Sequence, residues 1–323
     1  MTSTTSLFHP VEADLDAMTA TLRQLVGARH PILHAAAEHL FSVKGKRVRP
    51  AMVLLVSRAT MPDGKLTQRH CRLAEITEMI HTASLVHDDV VDESALRRGV
   101  ATVHSRFTNR VAILAGDFLF AQASWHLANL DDLAVVKLLS EVIMNLAEGE
   151  INQGLNRFDT DLTMDAYLLK SYYKTASLMA NSVKAAVLLS NWSEEEASRL
   201  HTYGKYVGLA FQVVDDILDF TASSDVLGKP AGSDLRSGHL TAPVLYAMKE
   251  KPQLKPLIER EFAEQGDIEA ALEMVRDSSG VERSRQMANE QIDHAIEHLS
   301  ALPPSEFRDV LESSARYVVS RLY

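Results

Sequence analysis

Three observations predict an all-α fold. Apolar residues recur at helical spacing along most of the chain, and no run alternates polar and apolar residues as a half-buried strand would. Glycine and proline, 14 and 10 in 323 residues, are too few for a many-turned β architecture. Hydrophobic residues make up 46%, enough for a sizeable core. One domain spanning 1–323 is the economical reading; a division near residue 250 is the alternative, because every motif below precedes it.

The elements follow in order. Residues 11–27 and 31–41 read as amphipathic helices, the first ended by Gly27 and the second opened by Pro31. A third begins at Pro50, and a long one runs from about 67 to 93. Further helices are expected near 110–129, 132–155, 163–190, 193–221, 240–250 and 254–264, with three more in 266–322. Loops centre on 62–64, on LRRGVATVH, on NRFDTD and on 221–238, the longest. Long loops in compact domains often serve as lids or binding segments.

A formal net charge of −10 argues against a general nucleic-acid binder. Any anionic ligand must be held by local basic clusters or by metal ions. Cys71 is the one cysteine, so no intrachain disulfide forms. No apolar run reaches the roughly 20 residues that span a bilayer. MTSTTSLFHP lacks the form of a secretory signal. A soluble cytoplasmic protein is expected.

The chemistry concentrates at two helix ends. Projected on a helix, Thr77, His81, Ser84, Asp88 and Asp92 form one polar stripe beside Ile76, Met79, Ile80, Ala83, Val86 and Val90. Asp88 and Asp92 lie about 40° apart and about 6 Å along the axis, a spacing that suits shared hard cations. Mg²⁺ typically takes one or two carboxylates plus substrate phosphates. Arg97 and Arg98, followed by Gly99, can fold back toward that region as guanidinium forks for phosphate oxygens. The competing reading is a solvated acidic helix end, which suffices for Asp131–Asp132. FQVVDDILDF (211–220) repeats the pattern, with Gly208, Gln212, Asp215 and Asp219 on one stripe. Two apolar helices that each end in DDxxD would, facing one another, line a cavity for several divalent cations.

With both motifs in hand, the chain resembles the trans-type polyprenyl diphosphate synthases. DDVVDESALRR and DDILD match the family's two aspartate-rich motifs. KGKRVRP, EMIHTASLVHDD, the KTA of YYKTASL, FQVVDD and GKPAGSDL extend the likeness over nearly the whole chain. It looks most like the long-chain branch, closest to cyanobacterial and plastid solanesyl diphosphate synthases. The resemblance implies an orthogonal helical bundle around a central cavity, the isoprenoid synthase fold, and a homodimer.

The basic residues then take roles. Lys46 and Arg49 precede Pro50 at a predicted helix N-terminus, which itself attracts anions. By resemblance, Lys46, Arg49, His81 and Arg98 bind the diphosphate of isopentenyl diphosphate. Arg97, Lys174, Thr175, Gln212 and Lys229 bind the allylic diphosphate, and Asp88, Asp92, Asp215 and Asp219 hold Mg²⁺. His239 departs from the pattern, since family members often carry lysine there. A neutral histidine supplies less charge. His81 with His87–Asp88 could instead indicate a metal-dependent phosphohydrolase, but that leaves the second DDxxD unexplained. His87 is read as structural, Ser193–Glu196 as a capping box, the methionines as core filling and Cys71 as an inert helix residue.

The implied reaction is head-to-tail prenyl transfer. Metal-bridged Asp88, Asp92 and Asp215, with Arg97 and Lys174, stabilise the departing diphosphate, and isopentenyl diphosphate attacks the allylic cation. Catalysis is positioning and electrostatics. Small residues Ala83 and Ser84, five and four positions upstream of Asp88, predict an open tunnel and a long product such as solanesyl diphosphate. Alternatives are a shorter-chain geranylgeranyl or farnesyl diphosphate synthase, a class I terpene cyclase, and a non-catalytic subunit of a heteromeric synthase.

Overall fold

The computed structural model describes residues 7–25, 27, 30–42, 45–97, 99–222 and 231–322. Helices α1 (Glu12–Leu25), α2 (Pro31–Ser42), α3 (Val48–Thr60), α4 (Gln68–Val91), α5 (Val103–Arg106) and α6 (Asn109–Ala128) form the first half. Helices α7 (Leu133–Leu155), α8 (Met164–Ser171), α9 (Ser177–Leu189), α10 (Glu194–Thr221) and α11 (Ser233–Arg236) follow. Helices α12 (Ala242–Glu250), α13 (Leu254–Glu259), α14 (Asp267–Arg276), α15 (Gly280–His298) and α16 (Glu306–Ser320) complete the chain. The chain has the all-α isoprenoid synthase fold.

It divides into two compact units. The first holds 1–143, 181–201 and 299–313; the second holds 144–180, 202–298 and 314–323. In the first, α3 is apolar on every side, with Pro50 to Val56 all buried, and packs on α4. Helix α4 buries Leu73, Ile76, Met79, Ile80, Ala83 and Val86 and lies along α6. It starts at a capping box: Thr67 Oγ1 accepts from the His70 N–H, and the His70 ring returns to the Thr67 N–H. Buried His70 also reaches Ser190 Oγ at 3.1 Å, and burial lowers its pKa.

In the second unit α10 meets the segment 176–180 at van der Waals limits. A Cβ on Gly204 would stand 2.8 Å from Ala180 Cα, and one on Gly208 2.5 Å from Ala176 Cα. Any larger side chain would push α10 away from the residues that carry Thr175.

The structure differs from the sequence expectation in four places. Helix α3 starts at Val48, with Arg47 left-handed before it (φ 51°), so Pro50 is the third helical residue. The first N–H groups of a helix have no internal acceptor, so proline is tolerated there. The expected helix 163–190 is interrupted by a π-helical turn, Tyr172–Ala176. Where no strand was expected, β1 (Leu96–Arg97) and β2 (Val100–Ala101) form a two-residue antiparallel ladder about Gly99 at φ 77°. Its strands are too short to show a period. Helix α13 stops at Glu259, before Glu261 and Phe262 take positive φ.

By length and composition α6 could cross a membrane. Arg110 and Asp117 lie inside it, which is why no unbroken apolar run was read there. Ile113, Leu114 and Trp125 are exposed on it.

Candidate functional site

The first DDxxD occupies the end of α4. Asp88 is half-buried; Asp92 is the C-cap and exposed, its N–H donating to Asp88 O at 2.8 Å. Three carboxylates at the negative end of a helix dipole are placed against the field, at a cost of a few tenths to about 1 kcal/mol each. A bound cation reverses that sign. Asp89, rotated off the stripe, is 5% exposed and accepts from Nε and Nη2 of Arg97, both at 2.8 Å. The ladder β1–β2 sets Arg97 there. Arg97 is thus engaged by the middle aspartate.

A cavity of about 340 Å³ lies in the same unit, with Leu22, Arg47, His81, Leu85, Asp89 and Arg97 on its walls. Neither Asp88 nor Asp92 lines it, so it lies behind the acidic cluster and not on the face where both outer carboxylates stand.

Of the isopentenyl diphosphate set, Arg49 and His81 are brought together. Arg49 Nη1 donates to His81 Nε2 at 3.1 Å, which leaves the ring proton on Nδ1. Lys46 is exposed just ahead of α3, and Arg98 lies outside the described residues. Ser84 is half-buried on the stripe and donates to His81 O at 2.9 Å. Ala83 is fully buried against Ala37 and Leu119. The two residues upstream of Asp88 therefore differ: Ser84 shares the stripe, and Ala83 sits in a packed cluster. His87 is structural, its ring over Gly116 and Nε2 on Ile113 O at 3.1 Å. Asp132 accepts from the N–H groups of Ala134 and Val135 and starts α7.

The second DDxxD lies in the last two turns of α10. Asp215 Oδ1 pairs with Arg321 Nη2 at 2.9 Å, and the Arg321 guanidinium lies over Phe211. Asp219 is 1% exposed; it accepts from Ser233 Oγ at 2.9 Å and from the Asp234 N–H at 3.2 Å, capping α11. Asp216, 2% exposed, accepts from Tyr167 Oη at 2.6 Å and Gln212 Nε2 at 2.8 Å. Burial and the nearby Asp234 push its pKa up to about 7, against those two donors and Lys170. Burial and the Asp216 charge hold the Tyr167 hydroxyl well above the usual phenol range.

Thr175 and Gln212 meet directly, Thr175 Oγ1 donating to Gln212 Oε1 at 2.6 Å. Lys174 Nζ, on the π-helical turn, donates to Glu150 Oε2 and Gln153 Oε1, both at 3.1 Å. Lys229 lies outside the described residues. His239 is half-buried, its N–H on Asp234 O at 2.8 Å. Burial, then the Lys170 charge, pushes its pKa down to about 4, so the ring is neutral at pH 7.

Asp89, Asp216, Tyr167, Glu150 and Arg321 were not foreseen as site residues. The first two were visible as the middle letters of DDxxD; no local pattern pointed to Arg321. Among the described residues no three His, Cys, Asp or Glu side chains converge as a ready-made metal cage. Mg²⁺ does not require one. Asp88, Asp92 and Asp215 are hard oxygen donors of the kind that cation takes.

Comparison with known proteins gives one answer. The profile of the Polyprenyl synthetase family matches residues 30–275. A prenyl transferase from Synechocystis sp. is 64% identical over the full length of both chains. Solanesyl diphosphate synthase 1, chloroplastic, of Arabidopsis thaliana is 52% identical, over 99% of this chain and 80% of the relative. A polyprenyl synthase from Caulobacter crescentus, crystallised with calcium and isoprenyl diphosphate, superposes with a TM-score of 0.91 at 33% identity, covering 99% of this chain and 98% of the other. With two DDxxD helix ends and matching basic residues in each unit, the chain belongs to the polyprenyl synthetase family.

Proposed function

We propose that the protein condenses isopentenyl diphosphate head-to-tail with an allylic diphosphate, producing a long-chain all-trans polyprenyl diphosphate, with solanesyl diphosphate as the specific product. The observation that carries this is the repeated DDxxD helix end, accompanied in one unit by Arg49 and His81 and in the other by Lys174, Thr175 and Gln212.

Asp88, Asp92, Asp215 and Asp219 hold the divalent cations that carry the allylic diphosphate. Mg²⁺, when bound, supplies positive charge that stabilises the leaving diphosphate. The relative crystallised with calcium and isoprenyl diphosphate supports a divalent ion in this family. Arg321 leaves Asp215 when the cations bind. Asp219 has two donors on it but a carboxylate offers about four lone-pair sites, so it can still share a cation. Lys174, Thr175 and Gln212, with Lys229 and Arg97, orient the allylic diphosphate. Lys46, Arg49, His81 and Arg98 anchor isopentenyl diphosphate so that its double bond meets the ionising carbon. Ser84 leaves room for the growing chain.

A homodimer is proposed through the exposed apolar face of α6 around Ile113, Leu114 and Trp125, and a cytoplasmic location for the enzyme. Light scattering and cell fractionation test these two points.

The deciding experiment incubates the purified protein with Mg²⁺, labelled isopentenyl diphosphate and separate allylic primers, and sizes the dephosphorylated products. Long polyprenols are expected. Products that stop at geranylgeranyl overturn the chain-length reading, a volatile hydrocarbon indicates a cyclase, and no turnover by the pure chain indicates a non-catalytic subunit.

A further inference from the structure

Lys170 lies four residues before Lys174, with the π-helical turn Tyr172–Ala176 beginning between them. The two ammonium groups are close enough to repel one another measurably. They are held differently. Lys174 is engaged by Glu150 and Gln153. Lys170 Nζ lies 5.5 Å from the ring centroid of Tyr167, and among the described residues no carboxylate stands within ion-pair distance of it. Its charge is felt by buried Asp216 and by His239, and burial lowers its own pKa. A half-buried ammonium over an aromatic ring, without a direct counter-ion, is poised for an anion.

The surroundings fix it in place. Tyr167 is fully buried and tied by its hydroxyl to Asp216 at 2.6 Å. Asp216 is tied through Gln212 to Thr175 at 2.8 and 2.6 Å. The platform beneath Lys170 is therefore continuous, by three hydrogen bonds, with two residues of the allylic subsite. His239 brings a neutral ring to the same cluster, so the charge it would carry as a lysine is missing there.

We propose that Lys170 is a further diphosphate-binding residue, which takes the allylic substrate's diphosphate together with Lys174 and supplies the positive charge that His239 lacks. Asp216 and Tyr167 act as positioning residues for it. This rests on Lys174, Thr175 and Gln212 forming the allylic subsite.

The test is steady-state kinetics with farnesyl diphosphate and isopentenyl diphosphate varied separately. Lys170→Met is expected to raise the KM for farnesyl diphosphate about 10-fold or more, as loss of a charge-assisted contact should. Its kcat and its KM for isopentenyl diphosphate should stay within about 3-fold. Adding His239→Lys to Lys170→Met is expected to restore most of the lost affinity, which a purely structural lysine would not allow. An unchanged KM for farnesyl diphosphate, an equal rise for both substrates, or no restoration overturns the proposal. Lys174→Gln runs in parallel: no effect there overturns the subsite itself, whereas an effect there with none in Lys170→Met overturns only the role of Lys170. Should Lys170→Met lose the wild-type circular dichroism, Lys170→Gln carries the same comparison with a smaller change over Tyr167.

Discussion

The two DDxxD helix ends share a pentapeptide pattern and differ in how their carboxylates are held. At the end of α4 the helix stops at Val91, so Asp92 is an exposed cap and only Asp89 is buried. Helix α10 runs on to Thr221, so Asp219 is still inside the helix, buried, and tied to Ser233 and the Asp234 N–H. In both, the middle aspartate turns away from the outer ones and takes strong donors: Arg97 for Asp89, Tyr167 and Gln212 for Asp216. The difference teaches that where a helix ends decides which letter of a motif stays open to a ligand. The second set is pre-organised by hydrogen bonds, and the first keeps two open carboxylates.

The largest test of this contrast is charge removal at the first position of each motif. Asp88→Ala and Asp215→Ala should each lower kcat by at least about 10²–10³-fold, the size associated with lost electrostatic stabilisation of a leaving group. A loss at only one position would show that the two ends are not equivalent in catalysis. Stability should separate the middle aspartates next. Tyr167→Phe removes one of two donors from a fully buried carboxylate and should cost about 1–3 kcal/mol in denaturant unfolding. Arg97→Met should cost less, because that guanidinium is 38% exposed and its pair is partly screened.

Product length sharpens the difference between Ser84 and Ala83. Ser84→Phe should shorten the product with little loss of stability, whereas Ala83→Phe should mainly destabilise, by about 1–3 kcal/mol through overpacking against Ala37 and Leu119. Chromatography of the dephosphorylated products and thermal melts of both variants decide it.

A smaller effect is expected with pH in the second unit. His239 has a folded pKa of about 4 against an unfolded 6.5, so below 6.5 the unfolded chain binds the proton first. Its contribution to stability is complete above pH 6.5 and is lost as pH falls toward 4. His239→Gln should therefore flatten the acid limb of the melting curve between those values; an unaltered limb would place the acid sensitivity elsewhere. Arg321→Met is expected to be the mildest change. Asp215 is 41% exposed, so the ion pair contributes little stability, and the Mg²⁺ concentration needed for half activity should fall modestly.

Much of this was legible in the sequence. Helix positions followed from 3.6-residue periodicity and from caps such as Thr67 and the Ser193–Glu196 box, whose hydroxyl and carboxylate pair as expected. The stripe through Thr77, His81, Ser84 and Asp88 came from angular projection alone. What escaped has physical reasons. The wide turn at Tyr172–Ala176 adds no signal to composition, because its residues are ordinary helix formers and tyrosines. The partnership of Asp215 with Arg321 joins residues far apart in sequence, and no period links them. Ala83 and Ser84 differ in surroundings only because α2 and α6 close over one of them.

The wide turn has a consequence for insertions and deletions. It works as a phase shifter: everything before Tyr172 is wound on one count and everything after Ala176 on another. Removing a single residue from this stretch would restore ordinary winding yet rotate one half against the other by about 100°. The two lysines that flank its start would then no longer share a heading, so this part of the chain should tolerate exchange of letters far better than any change in their number.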